Sequence, residues 1–368
     1  MKITAVRVFI ATNDLAGKVW NPKIRWHVKH SVLLEVATDE DPVGVGECWC
    51  FERAPDALVA FLASEVTPRI VGLDALDPAG VARVLNDSTT LSARHGIMAS
   101  ALSGIDIALW DIAAKAQGLP LWQLLGGTEP DVSVYASGGL YGEAKTPDQL
   151  AAELQGYVAR GYRQVKMKVG ALAPDEDETR VRTVRRALGP GPGLIIDGVY
   201  SFDTDSAAAF QARVADCDIA AFQSPVPADD IDGMAALVAG GVPVMALEAE
   251  YRPMVVRALL DRPAVAILQF ALVACGGISA GRTFAAMAAD AGIPCSLEVS
   301  STAVAQMAAF HFAAAHPQVA STEVHMVHQV LFDRFPFPPG AIRGGRLTLP
   351  DRPGLGIDLP ADRLERRA

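Results

Sequence analysis

Cysteine is scarce: five residues in 368, at positions 48, 50, 217, 275 and 295, form an odd, scattered set that excludes a disulfide-stapled scaffold. Cys48-Trp49-Cys50 is not a C-x-x-C pair, so neither a redox motif nor a zinc site is indicated. Positive charge is in deficit too. The formal net charge is −10 and there is no basic stripe, which argues against a nucleic-acid partner. The N-terminal "MKITAVRVFI" alternates as a strand does and lacks the long apolar core and small-residue cleavage site of a signal peptide. No run reads as long and apolar enough to span a bilayer. The expectation is a soluble, cytoplasmic chain without a membrane partner. Aromatic residues make up only 7% against 51% hydrophobic residues, a balance that, with abundant alanine, suits helices packed over a sheet rather than disorder.

What is present is a change of rhythm along the chain. "KITAVRVFI", "HSVLLEVAT" and, after the turn-like "DEDP", "VGVGECW" read as strands. Residues 97–117, "IMASALSGIDIALWDIAAKAQ", keep apolar residues at helical spacing until Gly118 and Pro120 stop them. "LLGG" at 124–127 closes this region, and the domain boundary falls there: 1–127, then 128–340, then a Gly/Pro/Asp-rich tail, 341–368, expected to return to the first domain. From 128 on, short β-like runs ("VSVYASGG", "QVKMKVG", "GLIIDG", "AAFQSP", "VPVMALE", "AVAILQF", "IPCSLEV", "ASTEV") alternate with Ala-rich amphipathic stretches on the scale of one βα unit. Eight such runs point to a (β/α)8-type barrel, with its active site at the C-terminal ends of the strands. A doubly wound open sheet is the alternative, but no G-x-G-x-x-G follows a strand.

The stretch "RQVKMKVGA", 163–171, sets two lysines in an apolar run. A strand has a period of two, so Lys166 and Lys168 share one face while Val165, Met167 and Val169 cover the other. Two ammonium groups on an interior face need counter-charges. The ends of the following strands supply polar groups: Asp197 on strand three, Gln223 on four, Glu248 on five, Glu298 on seven and Glu323 on eight, with Phe270-Ala271 on six. The lysines are therefore expected to face the barrel mouth among these acids. A solely structural ion-pair network is the alternative.

These motifs are recognisable. "VKMKVG", "IIDG", "FQSPVP", "LEAEY", "ACGGIS", "TEVH" and, most specifically, "ALSGIDIALWDIAAKAQGLPLWQLLGG" resemble the enolase superfamily in its mandelate racemase and muconate lactonizing branch. The resemblance implies an α+β capping domain over a modified (β/α)7β barrel. It implies abstraction of the proton α to a carboxylate, a magnesium ion held by acids on strands three to five, a small carboxylate substrate and a homo-oligomer. Carried onto this chain, the metal positions are Asp197, Gln223 and Glu248; Lys168 is the base, Lys166 its neighbour, and Glu323 the strand-eight acid that contacts the substrate carboxylate.

The chain departs from that pattern at informative places. Gln223 stands where the family has an acid; two acids and a Gln carbonyl could still hold Mg2+, more weakly. Val199 replaces a frequent Asn. Glu298 and Ala271 occupy the positions of the family's His–Asp dyad, and none of the histidines replaces it by alignment: His325 and His328 after strand eight, and His27 and His30 in the cap, read as structural or surface residues. One reading is a racemase, epimerase or dehydratase with Lys168 as base and Glu298 as opposing acid or second base. The others are a catalytically silent small-molecule binder and a metal-independent isomerase or lyase whose enolate the lysines stabilise. Specificity is expected from two cap loops, 13–28 and 48–54. Trp20, Trp26 and Trp49 would wall the pocket, and Lys23, Arg25 or Arg53 would meet a carboxylate.

Overall fold

The computed structural model describes residues 1–50, 55–88, 96–335, 337, 340–360, 362 and 364–368. Three antiparallel strands open the chain: β1 (Ile3–Trp20), β2 (Arg25–Thr38) and β3 (Gly44–Cys48). Their period of two sorts two cores. Val32, Leu34 and Val36 face the cap's own helices, while Leu33 and Val45 join the core shared with the barrel. The helix Ile97–Ala116 lies on β3, and a Cβ at Gly46 would come within 2.0 Å of the Gly104 carbonyl, so glycine is what lets strand and helix touch. Among the described residues this helix alone is long and apolar enough to cross a membrane, contrary to the expectation of no such run. Most of it is buried, and its apolar surface is spent on packing against β3 and the barrel helices rather than on lipid.

The barrel begins with β4 (Asp131–Ser137), carries the two-residue β5 (Tyr141–Gly142), and continues through β6 (Gln164–Lys168), β7 (Gly193–Asp197), β8 (Ile219–Gln223), β9 (Val244–Ala246), β10 (Ile267–Phe270), β11 (Cys295–Leu297) and β12 (Val319–His325). Eight of these strands are parallel neighbours, and β12 pairs with β4 to close the cylinder. Helices cover seven of the connections, so the fold is a (β/α)7β barrel under an antiparallel cap, as the resemblance implied. Inside, Tyr135, Ile195, Ala221 and Met245 form an apolar floor. After β12, β13 (Arg346–Thr348) pairs antiparallel with β4, and β14 (Glu365–Arg366) pairs with β1 of the cap.

The segment 13–28, read as a loop, is mostly sheet. A bulge between Asp14 and Val19 bends β1, with Ala16 and Gly17 at positive φ, and the strands resume pairing at Val19↔Trp26 and Trp20↔Arg25. The end of β1 then pairs with β5, Trp20 opposite Tyr141, so the hairpin is pinned beside the barrel mouth.

Candidate active site

Lys166 and Lys168 do point into the barrel, with Val165, Met167 and Val169 buried in the outer core. The register sets Lys168 beside Asp197 on β7 and Asp197 beside Gln223 on β8. Above the apolar floor, Lys166 donates to Glu323 Oε2 at 3.0 Å and to Gln223 Oε1 at 2.7 Å, and lies 3.4 Å from Asp197. Lys168 makes a short ion pair with Asp197 Oδ2. Tyr135 reaches up from the floor to donate to Glu323 Oε2 at 3.0 Å. Lys166, Asp197 and Glu323 are each 1% exposed, so these charges exist only because they meet one another. Burial works against the Lys166 ammonium, but Glu323, Tyr135 and Asp197 outweigh it and hold its pKa well above that of an ordinary lysine. Asp197 is likewise opposed by burial, yet Lys168 and Lys166 keep it below the usual carboxylate range.

The other two acids behave oppositely. Burial, then repulsion from Asp197, lifts Glu248 to about 7. Glu298 follows β11, three strands round the barrel from β6. Burial, then Glu323 and Glu248, raise its pKa well above the carboxylate range, and its Oε2 has no hydrogen-bond partner among the described residues. The raised pKa favours its protonated form, which can donate a proton.

Gln223 bears on the metal question. Its amide oxygen accepts from Lys166 and its nitrogen donates to Glu248 Oε2 at 2.7 Å. The reverse orientation would set oxygen against carboxylate and N–H against ammonium. Nitrogen rather than oxygen therefore lies beside Glu248, and Lys168 occupies Asp197. Among the described residues no three His, Cys, Asp or Glu side chains converge on a cation position. The proposed trio Asp197, Gln223 and Glu248, as arranged, does not fit a magnesium ion.

Several residues lie elsewhere than the sequence suggested. His325 ends β12 rather than following it, two residues beyond Glu323 and so on the same face; it and His328 are buried, their rings 4.4 Å apart. Burial, aided by Lys29 and Lys168, keeps both neutral. His27 is exposed, and His30 meets the Thr12 hydroxyl at 3.0 Å, both in the cap as expected for surface or structural residues. Trp26 is buried edge-on to His328, and Trp20 stacks with Tyr141 and carries the Arg25 guanidinium over its ring. Lys23 is exposed, and Arg25 is spent on Trp20 and the Gly17 carbonyl. Trp49 lines a separate cavity of about 370 Å³ with Cys50, Tyr251 and Ala274. Arg53 lies outside the described residues, as does most of the second cap loop.

The sequence reading missed Lys29. It lies on β2 with Ser31 on the face of Leu33 that meets the barrel, and that spacing was the available signal. Buried at 5% exposure, its ammonium donates to the Ser300 carbonyl and, at 2.8 Å, to the Ser300 hydroxyl. Burial lowers its pKa to about 8, against the pull of Glu298, Glu47 and Glu323.

A barrel whose mouth holds paired lysines, interdigitated acids and a cap-borne cation belongs to the class of capped barrels that work on small anions. Residues 149–363 match the enolase C-terminal domain-like family model, and residues 24–126 match the mandelate racemase / muconate lactonizing enzyme N-terminal domain. The chain belongs to the mandelate racemase / muconate lactonizing enzyme family of the enolase superfamily. It is 32% identical to the D-galactarolactone cycloisomerase of Agrobacterium fabrum over 99% of this chain and 98% of that protein. It is 29% identical to the arabinonate dehydratase of Saccharolobus solfataricus over 90% of this chain and 89% of that one. The crystal structure of the 3,6-anhydro-D-galactonate cycloisomerase from Zobellia galactanivorans superposes with a TM-score of 0.87 at 26% identity, covering 99% and 98% of the two chains. A racemase from Streptomyces coelicolor A3(2), whose structure superposes with a TM-score of 0.90 at 24% identity over 98% of each chain, was solved with bound magnesium.

Proposed function

We propose that this enzyme of the mandelate racemase / muconate lactonizing type is an isomerase or lyase that moves the proton α to the carboxylate of a small hydroxylated acid or its lactone. The observation that carries this is the pairing of two interior lysines with Asp197 and Glu323 beside the buried Glu298, whose pKa burial raises. In this reading the substrate carboxylate meets Lys166, whose fixed positive charge stabilises the negative charge that develops as the C–H bond breaks. Lys168, in its neutral amine form, takes the proton, and Asp197 steadies the ammonium that results. Glu298, in its protonated form, gives its proton to the departing oxygen. The acid-sugar class is suggested by the named activities of the relatives, a galactarolactone cycloisomerase and an arabinonate dehydratase.

The orientation of Gln223 favours a metal-independent version of this chemistry, in which the lysines alone hold the enediolate. The test is proton NMR in D2O on a panel of C5 and C6 aldonates, aldarates and their lactones, with EDTA and with Mg2+. Loss of the α-proton signal, or product formation, in EDTA supports both statements. Activity that appears only with Mg2+ supports the α-proton chemistry and removes its metal independence. Silence of the whole panel under both conditions contradicts the proposal.

A further inference from the structure

The chemistry above gives Lys29 no task, yet the cap delivers its ammonium into the same enclosed mouth. We propose that Lys29 is a second proton-transfer residue of this site, acting on the cap-facing side of the substrate α-carbon while Lys168 acts on the barrel side. This rests on the proposed α-proton chemistry.

Three observations carry the inference. Lys29 comes from β2 of the cap and is tied to Ser300, just beyond β11, whereas Lys168 rises from β6 three strands away; the two approach the mouth from different directions. The carboxyl of Glu298, two residues before Ser300, is 5% exposed with an unpartnered Oε2 among the described residues, so this side of the mouth holds a buried group awaiting a hydrogen-bond partner that a substrate oxygen would supply. The charged and titratable groups facing Lys29 are Glu298, Glu47, Glu323, Lys168 and Cys50, with His325 and His328 alongside. With both histidines neutral and Lys29 lowered to about 8, the amine and ammonium forms are both accessible near neutral pH. A neutral amine can donate twice to Ser300 and still hold a lone pair that accepts a proton.

The step balances without any oxidant or reductant. The α C–H bond breaks as the lone pair of the neutral Lys168 amine takes the proton and forms an N–H bond, and the C–H electron pair enters the carboxylate to give an enediolate. The Lys29 ammonium then gives a proton to the opposite face of the same carbon: one N–H bond breaks, one C–H bond forms, and a neutral amine remains. Run backward, Lys29 is the base for the opposite epimer.

The experiment measures deuterium wash-in from D2O for each of two C2-epimeric aldonates with the wild-type chain, Lys29→Met and Lys29→Arg, with thermal melts to confirm folding. Loss of at least about 100-fold in wash-in for one epimer, with the other retained, is expected for Lys29→Met. Lys29→Arg keeps the charge and loses the same wash-in. Wild-type rates for both epimers in Lys29→Met overturn the role of Lys29 while leaving the α-proton chemistry standing; wild-type silence on every acid overturns both. Should Lys29→Met not fold, the ε-carbon resonance of Lys29 in 13C-lysine-labelled wild-type protein, assigned against Lys29→Arg, supplies the second measurement. A titration midpoint near 8 supports the proposal, and a midpoint near the ordinary lysine value of about 10.4 overturns it.

Discussion

At the scale of the residue, one amide reorganises the site. Gln223 is fully buried between Lys166 and Glu248, and its two ends satisfy a donor on one side and an acceptor on the other. An acid at this position would add a carboxylate beside Glu248 and Asp197 and complete an oxygen set suited to a hard divalent cation. Gln223→Glu is therefore expected to bind Mn2+, read by loss of the free-ion electron paramagnetic resonance signal, at least about tenfold more tightly than the wild type. Equal Mn2+ binding by the two proteins would show that the amide is no obstacle. The lysine pair itself was legible in the sequence, because a period of two forces both side chains to one face and buried cations demand acids. The pairing pattern was not legible: that Lys168 takes Asp197 while Lys166 takes Glu323 depends on strand stagger, which the sequence does not print.

At the scale of the element, the β1–β2 hairpin carries both the fold's departure from the sequence reading and the cap's contribution to the site. Residues 13–28 are expected to be a loop because the family resemblance implies a specificity loop in the cap, and Asn13, Asp14, Gly17, Asn21 and Pro22 are turn formers. In the folded chain those residues serve one bulge and one tight turn, in which the Asn21 side chain accepts from the backbone of Lys23 and Ile24 at 2.9 Å each. Gly17 sits at φ +70°, and a Cβ there would lie 2.7 Å from the His27 ring. Gly17→Ala is expected to cost about 1–2 kcal/mol in urea unfolding and to speed amide exchange along residues 13–28. Unchanged stability and unchanged exchange would show that the bulge is not under conformational constraint. Lys29 went unread because the strand was read from His30, one residue after it, although β2 begins at Arg25 and the spacing to Ser31 and Leu33 puts Lys29 on their face.

At the scale of the whole molecule, cap and barrel are joined by buried acids. Glu47 on β3 accepts from Thr302 Oγ1 at 2.7 Å and from the amides of Thr302 and Ala305, at the N-terminus of the barrel helix Ala303–Ala315, where negative charge is favoured. Asp111 of the long cap helix accepts from Val45 on β3 and from Leu355 in the tail. Asp106 of the same helix accepts from Ser279 N at 2.9 Å and Oγ at 2.6 Å at the start of the barrel helix Gly277–Asp290. Burial lifts Asp106 to about 6. Its folded pKa lies above its unfolded value, so the folded state binds more protons, and this group's contribution to stability is full below about pH 4 and falls as pH rises through 6. Asp106→Asn removes that titration while keeping an oxygen acceptor. The difference in melting temperature, variant minus wild type, is expected to rise between pH 4 and pH 6 and then level off, by an amount corresponding to about 1–3 kcal/mol. A difference that stays flat across this range would show that Asp106 is ionised at ordinary pKa in the folded protein.

The central claim is that the lysines enclosed in the barrel mouth move a substrate proton. It is tested most directly by comparing wild type and Lys168→Ala on one responsive acid in D2O, following the α-proton by NMR. Exchange in the wild type and at least about a 100-fold loss in a folded Lys168→Ala is the predicted result; undiminished exchange in the variant would contradict it.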